Sequence, residues 1–159
     1  MTRIDNHRAT IFAAFTVLAA GVTALLAGPA YAELGGTMSA HRTDDGSTQR
    51  VLPGSAIQMR SIVDAGGTTI NEYATSDGHV FAYTWQGPTM PDLTRMLGRY
   101  ADPYRVKAAA QLSELSPLHA SRVEQAEVIV ESGGQMRSYV GRAWLPAAVP
   151  AGISLADLH

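Results

Sequence analysis

The residues best suited to chemistry lie where an aromatic strand turns into the start of a helix. Tyr83 and Trp85 alternate along a strand that stops at Gly87, and Asp92 follows two prolines in the first turn of the next helix. Free N–H groups at a helix start attract anions, so a carboxylate, sulfate or phosphate could bind here between aromatic walls. The same residues also suit a plain strand-to-helix corner, with Trp85 in the core. The predicted ligand-binding residues are Tyr83, Trp85, Gly87 and Asp92.

Hydrolase-like residue types occur together in one short turn. Ser76, Asp77 and His79 lie within four consecutive positions, whereas a catalytic triad needs groups brought from different parts of a fold. No G-x-S-x-G turn accompanies them. The pattern favours a hairpin turn, and the sequence predicts no catalytic residue.

Metal ligands are not indicated by the spacing of the histidines and carboxylates. His41, Asp44 and Asp45 are close in sequence, but there is no H-x-x-x-H pair, no calcium-loop spacing and no cysteine. Neither a metal nor a cofactor is predicted. Glu127 and Glu131 would face the same way on a strand, which indicates a solvated strand face rather than paired catalytic carboxylates.

The elements around these residues predict an α+β fold with a mainly antiparallel sheet. Residues 57–64, 68–75 and 80–85 are rich in β-branched and aromatic side chains and are separated by glycine-containing turns, which predicts a three-strand meander. A helical middle should begin at Pro91 after a cap at Thr89 or Met90, and its first helix should end at Gly98. A second helix is predicted over 104–112. A C-terminal hairpin is predicted from strands over 124–131 and 135–145 around Ser132, Gly133 and Gly134.

The first 32 residues have the charge order of a secretory signal peptide. Arg3 and Arg8 precede an uncharged apolar stretch that continues to Glu33, and Ala30 and Ala32 fit the small-residue cleavage rule. An uncleaved membrane anchor is the alternative, because about 20 apolar residues can span a bilayer. The cleavage box, with no basic cluster behind it, favours removal after Ala32 and a periplasmic or extracellular protein with no further membrane contact.

The remaining chain is expected to form one domain without disulfides. Residues 33–54 are polar and turn-rich, which predicts a flexible arm or a docked edge, and residues 55–159 form the single α+β domain. With no cysteine, the domain must be held by its core. The formal net charge of −2 and the scattered basic residues argue against nucleic acid or an anionic membrane as partner.

Several short motifs resemble a bacterial family of exported proteins, DUF2844. These are Asn71-Glu72-Tyr73, the run from Asp77 to Ala82, Trp85-Gln86-Gly87-Pro88 with Pro91-Asp92-Leu93, and Leu97 to Tyr100. The resemblance implies export and a single domain. It carries no assigned activity and no catalytic or ligand residues.

These features predict an exported, non-enzymatic binding or interaction module whose partner is another envelope protein or a small ligand. The alternative is an envelope hydrolase whose acid and base meet only in the fold. The pairs to test for it are His79 or His119 with Glu72 or Glu124.

Overall fold

The computed structural model describes residues 32–38, 46–52, 54, 56–114 and 120–158, with the side chains of 112–114 excepted. The predicted signal peptide up to residue 31, together with His41, Asp44, Asp45 and His119, lies outside the described residues. Within them, the α+β class with a mainly antiparallel sheet is confirmed.

Seven antiparallel strands form one sheet in the order β1-β2-β3-β4-β7-β6-β5. Consecutive strands pair from β1 to β4, and consecutive strands pair again from β5 to β7. The pairing of β4 with β7 joins the two halves across the helical segment. The strands are β1 (Thr48–Val51), β2 (Gln58–Val63), β3 (Thr69–Ala74), β4 (Val80–Gly87), β5 (Ala120–Glu124), β6 (Ile129–Gln135) and β7 (Ser138–Trp144).

Helices cover one face of this sheet. Helix α1 (Leu93–Leu97) begins two residues after the predicted start at Pro91, because Asp92 is its N-cap: Asp92 Oδ1 accepts a hydrogen bond of 3.1 Å from the Arg95 N–H. A short 3-10 turn links α1 to α2 (Ala101–Glu114). Buried Met96 and Leu97 pack against the inward side chains of β4 and β6. Burying each such side chain contributes roughly 1.5–3 kcal/mol to the free energy of folding, so this contact stabilises the core.

The chain after β7 covers only part of the opposite face. Two short 3-10 turns, Pro146–Ala148 and Leu155–Asp157, lead back across the sheet. There Leu158 packs with Trp144 and Tyr73 in a second apolar cluster. Leu52 and Ile57, between β1 and β2, pack on the same cluster, and no described residue covers the remaining part of this face.

The predicted C-terminal strands have different boundaries in the structure. A turn closed by the Gln125 N–H and the Val128 carbonyl separates β5 from β6, so residues 124–131 are not one strand. The predicted turn at residues 132–134 is also wrong, because these residues lie inside β6 and the reversal occurs at Met136 and Arg137, both with positive φ. Gly134 is needed in the strand instead, since a Cβ there would lie 2.6 Å from the Tyr139 ring.

Part of the predicted 33–54 arm is bound to the sheet. We call residues 33–38 the N-terminal strap. The Leu34 N–H donates to the Met96 carbonyl at 2.8 Å, and two bonds of 2.9 Å join Gly35 and Gly36 to the main chain of Val80. Leu34 is only 1% exposed. The strap therefore ties helix α1 to the start of β4, while β1 extends the sheet as its edge.

The corner after β4 is clamped to the turn between β2 and β3. Thr68 is fully buried, its hydroxyl donates to the Thr89 carbonyl at 2.6 Å, and its Oγ1 accepts from the Thr89 N–H at 3.1 Å. A Cβ on Gly87 would overlap the main chain of Thr68. Glycine is thus required at this position for close approach, not for an unusual φ.

We expect Gly87→Ala to destabilise the protein by about 2–3 kcal/mol, because the new methyl group would push two strand ends apart. Chemical unfolding followed by circular dichroism measures this. Gln86→Ala, an exposed neighbour on the same strand, is the control and should stay within about 0.5 kcal/mol of the parent. Equal stabilities for the two variants would contradict the close-packed corner.

Candidate functional site

Each of the four residues predicted as a ligand site has a structural role in the fold. Tyr83 and Trp85 are 0% and 1% exposed beneath the helices. The Tyr83 hydroxyl lies 3.1 Å from Glu72, Gly87 abuts Thr68, and Asp92 caps α1. Their role in binding a ligand stays a prediction.

The acid–base pairs considered for a hydrolase are not brought together among the described residues. Glu72 is buried against Arg60 and Tyr83, whereas His79 is largely exposed and has Asp77 as its carboxylate neighbour, at 3.6 Å. A hydrogen bond from the Thr75 hydroxyl lowers the pKa of Asp77. Asp77 and His79 therefore belong to an ordinary surface turn.

The structure assembles a different set of polar residues on the open part of the sheet. One side chain from each of five neighbouring strands lines up across the face, because cross-strand partners point the same way. We call this set the polar row. From β3 to β5 it consists of Asn71, Thr84, Arg142, Glu131 and Arg122.

Glu131 is the electrostatic centre of the polar row. Its Oε2 accepts from Arg142 Nε at 2.6 Å, and its Oε1 bonds Arg122. Partial burial raises the pKa of Glu131, but hydrogen bonds and attraction from Arg142 and Arg122 outweigh this, so the net pKa is lowered. Glu131 therefore holds both guanidinium groups in place as a stable anion.

The guanidinium groups are fixed from two further directions. Arg122 and Arg142 lie 5.7 and 5.4 Å from the ring of Trp144, within cation–π range. Arg142 also donates to the Leu155 carbonyl at 3.3 Å, which connects the polar row to the C-terminal segment. Helix α2 also contacts β5, because the Gln111 side chain donates a hydrogen bond of 3.3 Å to the Arg122 carbonyl.

A groove of about 800 Å³ runs over the polar row. Gly141 contributes main chain to the groove, and a Cβ there would point to the other face of the sheet, into the buried ring of Trp85. Val140 is 55% exposed and adds an apolar patch, while Leu158 closes one end. The volume falls within the range of small-molecule sites.

The sequence contained only partial signals for this groove. A solvated face was predicted from Glu131, and Asn71 stood out only as part of a family motif. Thr84 and Arg142 interrupt apolar strands at positions facing away from the helices, which is the pattern of a half-exposed face. Their convergence depends on the register between β4 and β7, strands separated by the whole helical segment.

Two further observations concern the described residues. No three His, Cys, Asp or Glu side chains among them gather as a metal site. No helix in the described part of the chain has both the length and the apolar character needed to cross a bilayer.

The fold and groove define an α+β domain with one helix-covered sheet face and one open polar face. The chain belongs to the DUF2844 family, described as proteins of unknown function, whose family model matches residues 30–158. No curated protein and no solved structure matches it.

We expect Glu131→Gln to lower stability by about 1 kcal/mol at neutral pH, since two partly exposed guanidinium groups lose their shared anion. Because the folded-state pKa is lowered, this contribution is present above the ordinary value of 4.5 and is lost as pH falls through the folded-state pKa. Unfolding curves at pH 7 and at pH 3 measure it.

The matched control for this measurement is Glu127→Gln, an exposed carboxylate in the neighbouring turn. The stability gap between Glu131→Gln and the parent should narrow in acid. If the difference in unfolding free energy between Glu131→Gln and the parent stayed the same from pH 7 to pH 3, the stabilising ion pairs of Glu131 with Arg122 and Arg142 would be ruled out.

Proposed function

We propose that this protein is exported, loses its leader after Ala32, and acts in the periplasm or outside the cell as a non-enzymatic binding module. Its ligand lies in the groove over the polar row. The observation that carries the proposal is the row itself, in which five strands each contribute a polar side chain to one open face.

The chemistry of the groove favours a small polar ligand without strong charge. Both arginines are already paired with Glu131, and Arg122 also pairs with Glu124 at 3.2 Å. Asn71, Thr84 and Gln86 supply amide and hydroxyl groups that both donate and accept. Hydroxylated or amide ligands with a flat apolar face therefore match the groove, with Val140 and Gly141 beneath that face.

A binding role is better supported than a hydrolytic one. The carboxylate in the groove, Glu131, has a lowered pKa and is held by two cations, which makes it a poor general acid near neutral pH. The fixed geometry of Arg122 and Arg142 suits positioning a ligand by hydrogen bonds. Measurable turnover of ester, peptide or glycoside substrates would favour the hydrolase.

The groove can be tested with a panel of monosaccharides, disaccharides and dipeptides, with dicarboxylates as a charged comparison. We expect a neutral member to shift backbone amide resonances on β3, β4 and β7. Val140→Trp should weaken this binding at least tenfold, because the indole fills the groove. Val106→Trp makes the same change at an exposed position on α2 and should leave affinity unchanged.

Two results would refute the groove as the binding site. One is that no panel member perturbs residues around the polar row. The other is that ligand affinity survives Val140→Trp. Binding of dicarboxylates alone would keep the site but overturn the preference for uncharged ligands.

Export is tested by producing the full chain in bacteria and determining the intact mass in each cell fraction. The expected product begins at Glu33 and is found in the periplasm or medium. Ala32→Phe should accumulate precursor, since the cleavage rule requires a small residue there. A cytosolic product that still begins at Met1 would refute export.

A further inference from the structure

A charged cluster is buried under the helices, away from the groove. Arg60 and Glu72 are 2% and 0% exposed, and Arg60 Nε lies 2.7 Å from Glu72 Oε2. The other carboxylate oxygen, Oε1, lies 3.1 Å from the Tyr83 hydroxyl. Each oxygen of Glu72 thus faces a different neighbour, and the arginine is on the Oε2 side.

The main chain at Ala32 reaches this cluster. Its carbonyl accepts a hydrogen bond from the Tyr83 hydroxyl, and its backbone also bonds the Glu72 carboxylate. Ala32 packs partly buried against the core, and the strap follows directly. The peptide bond proposed for cleavage, Ala32–Glu33, therefore lies against the buried charges.

The hydrogen-bond count changes when this bond is hydrolysed. In the uncut chain the single proton of Tyr83 faces two acceptors, the Ala32 carbonyl and Glu72 Oε1. Hydrolysis consumes one water, leaves a carboxylate on the leader, and leaves on Glu33 an amine that is protonated at neutral pH. Within one planar peptide the nitrogen and oxygen are only about 2.3 Å apart, so this amine starts beside the Tyr83 hydroxyl.

We propose that the α-ammonium group of Glu33 occupies a built site formed by Tyr83 and Glu72 in the processed protein. This inference rests on the proposed cleavage after Ala32. The ammonium group donates one of its protons to the Tyr83 oxygen, and Tyr83 then donates its own proton to Glu72 Oε1, so the hydroxyl both accepts and donates. A second cation beside Glu72 also offsets the cost of burying its charge.

The charged and titratable groups around this site come from four elements. Arg60 on β2 opposes the ammonium group, and Glu72 on β3 attracts it. Tyr83 on β4 bonds it, and the 3-10 turn after α1 contributes Arg99, which interacts with the side chain of Glu33. Because Arg60 is bound to the far oxygen of Glu72, the carboxylate is the nearest charge, and the amine should hold its proton more tightly.

The test uses the chain that begins at Glu33, which contains every strand and helix found in the described residues. The probe is the rate at which an activated ester acylates the α-amino group at pH 7.5. We expect the folded protein to react at least threefold more slowly than a free peptide of residues 33–38. Glu72→Gln and Tyr83→Phe should each restore the faster rate, whereas Asp77→Asn, an exposed carboxylate nearby, should not.

The outcomes separate this site from the export proposal. Reaction of the parent protein at the peptide rate, unaffected by Glu72→Gln and Tyr83→Phe, would overturn the ammonium site. Should Glu72→Gln fail to fold, Tyr83→Phe still decides, because it keeps the buried ion pair. A cellular product that begins elsewhere would refute the cleavage position while leaving the acylation result valid for the chain that begins at Glu33.

Discussion

The ion pair between Arg60 and Glu72 is the interaction on which the arrangement of this domain depends. Two buried charges are tolerated only when they neutralise each other and their remaining hydrogen-bonding positions are filled. Here burial raises the pKa of Glu72, and Arg60 and Tyr83 partly counter that effect. The pair joins β2 to β3, Tyr83 brings in β4, and Ala32 brings in the start of the strap. The strap must therefore close over this buried pair.

The packing of the helices on one face of the sheet determines how much of the other face is covered. The helical segment between β4 and β5 packs on the buried side. Among the described residues, the opposite side is covered by the short C-terminal segment and by Leu52 and Ile57, between β1 and β2. That segment packs on Trp144 and Tyr73, and its Leu158 lines the groove. The uncovered strands carry polar side chains at the exposed positions, and antiparallel pairing aligns them into the polar row. The candidate site thus follows from the unequal coverage of a two-faced sheet.

The parts of the fold that rest on local patterns were predictable from the sequence. Alternation located β2, β3 and β4 to within one or two residues, and Gly98 marked the end of α1, although the helix begins two residues after the predicted Pro91. Gly133 and Gly134 predict a turn, but both lie inside β6. The chain reverses at Met136 and Arg137, which adopt positive φ although neither is glycine. The groove could not be predicted from the sequence, since it depends on which residue of β7 lies opposite Thr84. The aromatic corner attracted attention for its composition, yet its glycine serves packing against Thr68.

The ionic state of the buried pair is the most direct test of this account. Carbon-13 NMR of the Glu72 side-chain carboxyl, followed across pH together with exchange of the Arg60 Nε proton, reports on both partners at once. The account predicts that the pKa of Glu72 lies above its ordinary value of 4.5 and that the Arg60 proton exchanges slowly with water. A Glu72 that titrates like an exposed carboxylate, with rapid exchange at Arg60, would contradict it.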